Sequence, residues 1–192
     1  MNKEKLGPHG LRLFVAVDVD EKCREAVARL VGALKTCGAG VKWVAADNLH
    51  YTLKFLGETE LDPGKIAGAL KTVRPGKFDL ELRGVGCFPN AKAPRVVYVG
   101  AGAGGESLKL LAEAVETSLE PLGFEREKRG FTSHLTIGRV KIPGKVSLKL
   151  AEKMNGQEGA IFGKFSVDRF FLMKSDLRSG GPVYSRMAEF QL

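Results

Sequence analysis

The stretch that decides the fold is His50-Tyr51-Thr52-Leu53, because it recurs as His134-Leu135-Thr136-Ile137. The chain has three histidines, and the third, His9, precedes the first strand-like segment. Both histidines in the body of the chain therefore stand in one short pattern of histidine, any residue, threonine and aliphatic residue. Side chains alternate across a strand, so each motif can place its histidine and threonine on one face and its apolar residues on the other.

Strand-like and helical segments alternate around both motifs. The hydrophobic periodicity predicts strands over residues 11–19, 41–44, 49–56, 78–85, 95–99, 131–140, 165–174 and 183–191, and helices over residues 21–34, 65–73, 107–120 and 148–154. Because the alternation occurs twice, we expect two similar α+β lobes that each contribute one histidine strand. These lobes form a single domain over residues 11–192, behind a flexible leader over residues 1–10. The lobe boundary stays open, since the closing strands could return to the first lobe.

Size and composition indicate an ordinary soluble domain. The 192 residues are 44% hydrophobic and 27% charged. A net charge of +8 favours a polyanionic partner such as RNA or DNA, although many basic proteins bind no nucleic acid. Three cysteines cannot all pair, which argues for a reducing cytoplasm. No apolar run approaches the length of a membrane span, so we expect no membrane partner.

The paired motifs suit metal-free attack on a phosphate ester. A neutral imidazole can take a proton from water, while a protonated one gives a proton to the leaving oxygen. The hydroxyls of Thr52 and Thr136 can donate hydrogen bonds to phosphate oxygens. Arg139 can contact phosphate through two parallel hydrogen bonds, provided that Gly138 permits a bend toward His134. Strict alternation also places Lys54 on the His50 face, which makes it a candidate phosphate ligand.

A zinc site is the main competing interpretation of the two histidines. Asp47 lies three residues before His50, but no Cys, Asp or Glu lies so close to His134. The sequence therefore offers scattered ligands and no compact metal motif. We expect neither a metal nor another cofactor.

Both motifs, with their flanking residues, resemble the signatures of the two-histidine (2H) phosphoesterase superfamily. The matching stretches read HYTLKFLG over residues 50–57 and SHLTIGR over residues 133–139. Within the superfamily, the chain most resembles the RNA 2′,3′-cyclic phosphodiesterases, also called 2′-5′ RNA ligases. Residues 12–18, 88–89, 94–96 and 172–184 extend the resemblance over nearly the whole chain.

The resemblance implies a bilobal α+β fold, with two antiparallel sheets around a central cleft and helices packed outside. It implies hydrolysis of the 2′,3′-cyclic phosphate at an RNA end to a 2′-phosphate. By position, His50 and His134 are the catalytic pair, and Thr52, Thr136 and Arg139 bind phosphate. Of the two divisions of labour, we expect His50 to protonate the departing O3′ and His134 to activate water.

Other features have two interpretations that the sequence leaves open. Phe14 is either a base-stacking residue or a buried strand aromatic. The basic residues near the second motif either steer RNA or are solvated loop charges; they are Arg126, Lys128, Arg129, Lys141 and Lys145. The expected partner is RNA with a cyclic phosphate end, such as a tRNA fragment, bound by a monomer. The alternatives are a 2′-5′ RNA ligase and a non-catalytic RNA-binding module.

Overall fold

The computed structural model of the chain describes residues 10–38, 40–142 and 148–192. Most of the predicted leader and Lys145 lie outside these ranges. The strands are β1 (Leu11–Asp18), β2 (Val41–Trp43), β3 (His50–Thr59), β4 (Phe78–Phe88), β5 (Val96–Ala101), β6 (His134–Val140), β7 (Ile161–Val167), β8 (Arg169–Arg178) and β9 (Gly181–Gln191). The helices are α1 (Glu21–Lys35), α2 (Pro63–Leu70), α3 (Gly105–Leu119) and α4 (Leu148–Asn155).

The strands of the described residues form a curled antiparallel sheet in the order β7-β4-β5-β6-β3-β1-β8-β9, with β2 paired to β6. One half of the sheet holds β3, β1, β8 and β9, and the other holds β7, β4, β5, β6 and β2. A single residue pair, Tyr51 with Leu135, joins β3 to β6 and so connects the halves. The predicted α+β class and antiparallel pairing are confirmed, and the closing strands β8 and β9 do return to the first half.

The helices bury their apolar faces against one side of this sheet. In α1, the Asp20 carboxylate accepts a hydrogen bond from the backbone N–H of Cys23, which satisfies one of the donors that a helix start leaves unpaired. Helix α1 packs against β7 and α4 against β4, whereas α3 packs against β3 and α2 against β9. Tyr51 and Leu135 are fully buried in the resulting core. The two motif strands therefore have one covered face and one open face. None of the helices in the described ranges has the length and apolar character needed to cross a membrane.

The predicted strand over residues 165–174 is in fact two strands, separated at Asp168. Strand β7 pairs with β4 in the second half, whereas β8 pairs with β1 in the first. The charged pair Asp168-Arg169 marks the junction, but apolar residues stand on both sides of it, so periodicity alone gives no sign that the two parts pair in different halves. The junction at Asp168 is therefore the point where the chain returns to its first half.

Candidate active site

The pair that joins the two halves also brings the four motif side chains together. Tyr51 and Leu135 are cross-strand partners, and the strands are antiparallel. One residue to either side of that pair, His50 therefore lies opposite Thr136, and Thr52 lies opposite His134. All four side chains are partly exposed, on the face opposite the buried Tyr51 and Leu135. The two motifs thus form one four-residue cluster with approximate two-fold symmetry.

Both histidine rings are held in the same way. The Nδ1 atom of His50 lies 2.8 Å from the carbonyl oxygen of Asn48, and that of His134 lies 2.7 Å from the carbonyl oxygen of Thr132. A carbonyl oxygen only accepts hydrogen bonds, so Nδ1 carries a proton and donates in each ring. This leaves Nε2 of each imidazole for proton exchange with a substrate.

Each histidine ring also has one phenylalanine and one tyrosine as neighbours. The ring of His50 lies 4.9 Å from that of Phe14 and 5.2 Å from that of Tyr184. The ring of His134 lies 5.1 Å from that of Phe88 and 5.9 Å from that of Tyr98. These aromatic contacts restrict the orientation of both imidazoles. Tyr184, Phe88 and Tyr98 had no functional signal in the sequence, because their approach depends on strand pairing across long separations.

The electrostatic surroundings of His50 favour its neutral form. Burial lowers the pKa of His50 below the ordinary imidazole value, and the nearby charges of His134 and Arg139 lower it further. The Asn48 carbonyl and the Asp18 carboxylate oppose this shift without reversing it. His134 and Arg139 are therefore within the range over which their charges act on His50.

Arg139 reaches the cluster because β6 contains a bulge. Val97 pairs with Gly138 and Tyr98 pairs with Thr136, so Ile137 is an extra residue in β6. The bulge reverses the alternation and turns Arg139, which is exposed, to the face of His134 and Thr136. The bend that we expected near Gly138 is therefore present. No carboxylate pairs with Arg139 within the described ranges, which leaves its guanidinium available to an anion.

The same irregularity in β3 makes the expectation for Lys54 wrong. Val15 pairs with Lys54 and Ala16 pairs with Thr52, so Leu53 is the extra residue. Lys54 consequently points away from the cluster and is only 6% exposed. Its ammonium group forms an ion pair with Glu116 of α3 and donates a hydrogen bond to the carbonyl oxygen of Glu125, 2.7 Å away. Lys54 ties β3 to α3 and to the segment before His134 and does not face a substrate.

Phe14 is a buried aromatic residue and not an exposed stacking surface. It is 2% exposed, and its ring contacts His50, Phe55 and Tyr184. With neighbours on several sides, it has no free face for a nucleobase. Of the two interpretations of Phe14, the structure supports packing against His50.

The basic residues near the second motif stay on the surface. Arg126 pairs weakly with Glu120, at 3.4 Å, while Lys128, Arg129 and Lys141 are exposed. Neither interpretation of these charges is decided by their positions. The described ranges contain no cluster of three or more His, Cys, Asp or Glu residues that could hold a metal ion.

Comparison with known proteins identifies the family of this chain. The profile of the LigT-like phosphoesterases matches twice in succession, over residues 17–98 and 99–184. An RNA 2′,3′-cyclic phosphodiesterase of Archaeoglobus fulgidus is 41% identical over 94% of this chain and 100% of its own length. A second RNA 2′,3′-cyclic phosphodiesterase, from Methanothermobacter thermautotrophicus, is 36% identical over 95% of this chain and 99% of its own length.

Solved structures agree with these sequence matches. The TT0787 protein of Thermus thermophilus superposes with a TM-score of 0.79 at 31% identity, covering 95% of this chain and 98% of that one. E. coli LigT complexed with 3′-AMP superposes with a TM-score of 0.77 at 27% identity and the same coverage. With both halves matched by the profile and the whole fold by solved structures, the chain belongs to the LigT-like phosphoesterase family.

Proposed function

We propose that this protein hydrolyses the 2′,3′-cyclic phosphate at RNA ends to a 2′-phosphate. The observation that carries the proposal is the single Tyr51–Leu135 pair, which sets two histidines and two threonines around one point. Relatives named RNA 2′,3′-cyclic phosphodiesterases align in sequence with this chain over almost their whole length, which supports the same substrate class here. RNA fragments such as those of tRNA, a cytoplasmic location, a monomeric state and one domain over residues 11–192 belong to the same proposal.

The symmetry of the cluster suits an in-line displacement at phosphorus. His50 and His134 lie diagonally across the Tyr51–Leu135 pair, so a phosphate at its centre has one imidazole on each side. One imidazole accepts a proton as water adds to phosphorus, and the other protonates O3′ as the P–O3′ bond breaks. Each of these roles typically contributes about 10²–10⁴-fold to the rate. One ring gains the proton that the other loses, and proton exchange with solvent then restores the starting states of both rings.

We propose the division of labour expected from the sequence, in which His50 protonates the departing O3′ and His134 activates water. Burial lowers the pKa of His50 in the free protein, and the negative charge of a bound phosphate favours the protonated form that a general acid requires.

The phosphate ligands of the proposal are Thr52, Thr136 and Arg139. The two hydroxyl groups lie on the cluster face beside the opposite histidine, where they can donate to non-bridging oxygens as charge develops. The unpaired guanidinium of Arg139 adds a charge-assisted contact at the His50 end. Lys54 and Phe14 do not contact the substrate in this proposal, since both are buried in contacts with protein.

The test is turnover of adenosine 2′,3′-cyclic phosphate in excess EDTA, with 2′- and 3′-phosphate products resolved by chromatography. Wild-type protein should release the 2′-phosphate, and His50→Ala and His134→Ala should each lose at least about 10²-fold in kcat. His9→Ala is the matched control, because it removes the histidine outside the motifs. Near-wild-type turnover by His134→Ala, or no turnover of either this nucleotide or an RNA oligomer with a cyclic end, would overturn the proposal.

A further inference from the structure

The two histidines differ in the residue that pairs with each from the neighbouring strand. His50 is paired with Asp18 of β1. His134 is paired with Gly100 of β5. Directly opposed residues of an antiparallel pair share a face, with their Cβ atoms about 5 Å apart, so a carboxylate lies beside the first imidazole. The matching position beside the second has no room for one, because a Cβ atom at Gly100 would lie 2.8 Å from the carbonyl oxygen of Arg83.

The Asp18 carboxylate is held in place by three hydrogen-bond donors. Its Oδ1 atom accepts hydrogen bonds from Nη2 of Arg24, at 2.9 Å, and from the backbone N–H of Val19, at 3.0 Å. Its Oδ2 atom accepts a hydrogen bond from Nη2 of Arg186 on β9. The side chains of Asp18 and His50 line the same cavity of about 130 Å³. The negative charge therefore has a fixed position on the side of the imidazole.

Arg24 connects this carboxylate to the hydrogen bond that orients the His50 ring. The Arg24 side chain lies on α1 and is only 12% exposed. While its Nη2 holds Asp18, its Nη1 donates a hydrogen bond of 2.6 Å to the carbonyl oxygen of Ala46. Ala46 begins a short turn that ends at Asn48, whose carbonyl oxygen accepts the hydrogen bond from Nδ1 of His50. One guanidinium group thus positions both the charge beside His50 and the acceptor for its ring.

Charged and titratable groups face His50 from each element packed around it. They are Asp18 of β1 with Arg24 of α1 behind it, Asp47 of the turn before β3, His134 and Arg139 of β6, and Tyr184 and Arg186 of β9. Burial lowers the pKa of this imidazole, the Asp18 carboxylate opposes that shift, and the charges of His134 and Arg139 add to it. Burial raises the pKa of Tyr184, so its phenol is uncharged where an imidazole titrates. Within this set, the charge that favours the imidazolium form of His50 is that of Asp18.

We propose that Asp18 is a positioning residue that makes His50, and not His134, the acid of the pair, because its fixed charge lies beside the first imidazole. The inference rests on the proposed function, in which His50 protonates O3′. A neighbouring carboxylate favours the charged form of an imidazole, and a general acid must hold its proton before it can give it up. Where two titratable groups are otherwise matched, the difference in their environments assigns their roles. Asp18 itself transfers no proton.

The first test follows the charge of each histidine by NMR and needs no turnover. The chain has three histidines, so their imidazole C–H signals can be assigned from His9→Ala and His50→Ala. In Asp18→Asn, the titration of His50 should move to lower pH, because the carboxylate is lost while its two arginine partners keep their charges. The titration of His134 should change much less.

Two further variants make this test specific. Arg186→Gln should move the titration of His50 to higher pH, because it removes an exposed cation and leaves Asp18 its contact with Arg24. Asp79→Asn is the matched control, since it removes a carboxylate from an exposed ion pair in the second half and should move neither histidine. An unchanged His50 titration in Asp18→Asn, or equal shifts of both histidines, would refute the role of Asp18. If Asp18→Asn does not fold, Arg186→Gln decides, and the absence of an upward shift refutes the proposal.

Turnover of adenosine 2′,3′-cyclic phosphate across pH shows whether the affected ring is the acid. When an acid holds its proton less tightly, kcat falls on the alkaline side, about tenfold for each pH unit of the shift, and is unchanged on the acidic side. Asp18→Asn should therefore lower kcat about 3- to 30-fold at about pH 9 and leave it within about 3-fold of wild type at about pH 5. A higher kcat on the acidic side, with none lost on the alkaline side, would show that His50 is the base and would overturn the proposal. If the wild type turns over no cyclic phosphate while the His50 titration still depends on Asp18, the proposed reaction is wrong and the effect of Asp18 on His50 stands.

Discussion

Replacing Lys54 by Met should lower the free energy of unfolding more than replacing any exposed lysine. The ammonium group is buried, and the side chain of its partner Glu116 is only 13% exposed. Methionine fills much of the same volume but leaves the Glu116 carboxylate without its counter-charge. Breaking one side of a buried pair in this way costs about 3–5 kcal/mol, because the remaining charge stays desolvated. That loss is a large part of the stability of an ordinary domain.

A double variant identifies the cause of the loss. In Lys54→Met/Glu116→Leu both charges are absent, and replacement of a buried pair by apolar residues is often neutral. We expect this variant to recover most of the free energy of unfolding that the single change removes. The remaining difference reflects the lost hydrogen bond to the Glu125 carbonyl, about 0.5–1.5 kcal/mol, or more because the donor is charged.

Urea unfolding followed by circular dichroism measures each variant. Lys109→Met is the control, since its ion pair with Glu106 is exposed and should contribute little. Because Glu125 belongs to the segment that leads to His134, the double variant should also show a lower kcat than wild type while remaining folded. A single variant Lys54→Met within about 1 kcal/mol of wild type would refute the claim that Glu116 depends on Lys54 for its charge compensation.

Two further predictions concern the pH dependence of stability and the lack of room for a side chain at Gly138. The lowered pKa of His50 means that the unfolded chain takes up a proton that the folded one resists, so stability should fall as pH drops below about 6.5. Urea unfolding of wild type and His50→Gln between pH 5 and 8 checks this, because the free energy of unfolding should depend more steeply on pH in wild type. The same pH dependence in both proteins would contradict the prediction. Gly138→Ala places a Cβ atom 2.6 Å from Cγ1 of Val41 and should lower the free energy of unfolding by about 1–3 kcal/mol. It should also reduce activity, because the backbone shift moves Arg139. The control Gly32→Ala meets no atom within 4 Å on α1 and should instead be neutral or stabilising in the same assay.

The sequence predicted the elements and the cluster well because these depend on local periodicity. The repeat of histidine and threonine at alternate positions is enough to place both on one strand face. The bulges were harder to predict, since Leu53 and Ile137 are apolar residues in apolar strands. In β6 the glycine beside the bulge gave a signal, and the position of Arg139 was expected. In β3 no such glycine stands next to Leu53, so Lys54 was assigned to the wrong face.

Long-range pairing accounts for the other differences. The apolar residues on both sides of Asp168-Arg169 do not show that residues 165–167 and 170–174 pair in different halves of the sheet. The aromatic neighbours of the histidines come from strands far away in sequence, as with Tyr184 beside His50. The bulge at Leu53 also leaves Phe55 64% exposed, where strict alternation from Tyr51 would have placed it in the core.

The division of acid and base roles must come from outside the repeated motif. Each imidazole has the same hydrogen bond at Nδ1 and the same kinds of aromatic neighbour, so these contacts cannot make one ring an acid and the other a base. The asymmetric groups are the charges of Asp18 and Arg139 near His50 and the exposed ring of Phe55. The orientation of the bound substrate decides which ring meets O3′. Chemistry therefore depends on what the two halves share, and the orientation of the substrate depends on the groups around the cluster in which the halves differ.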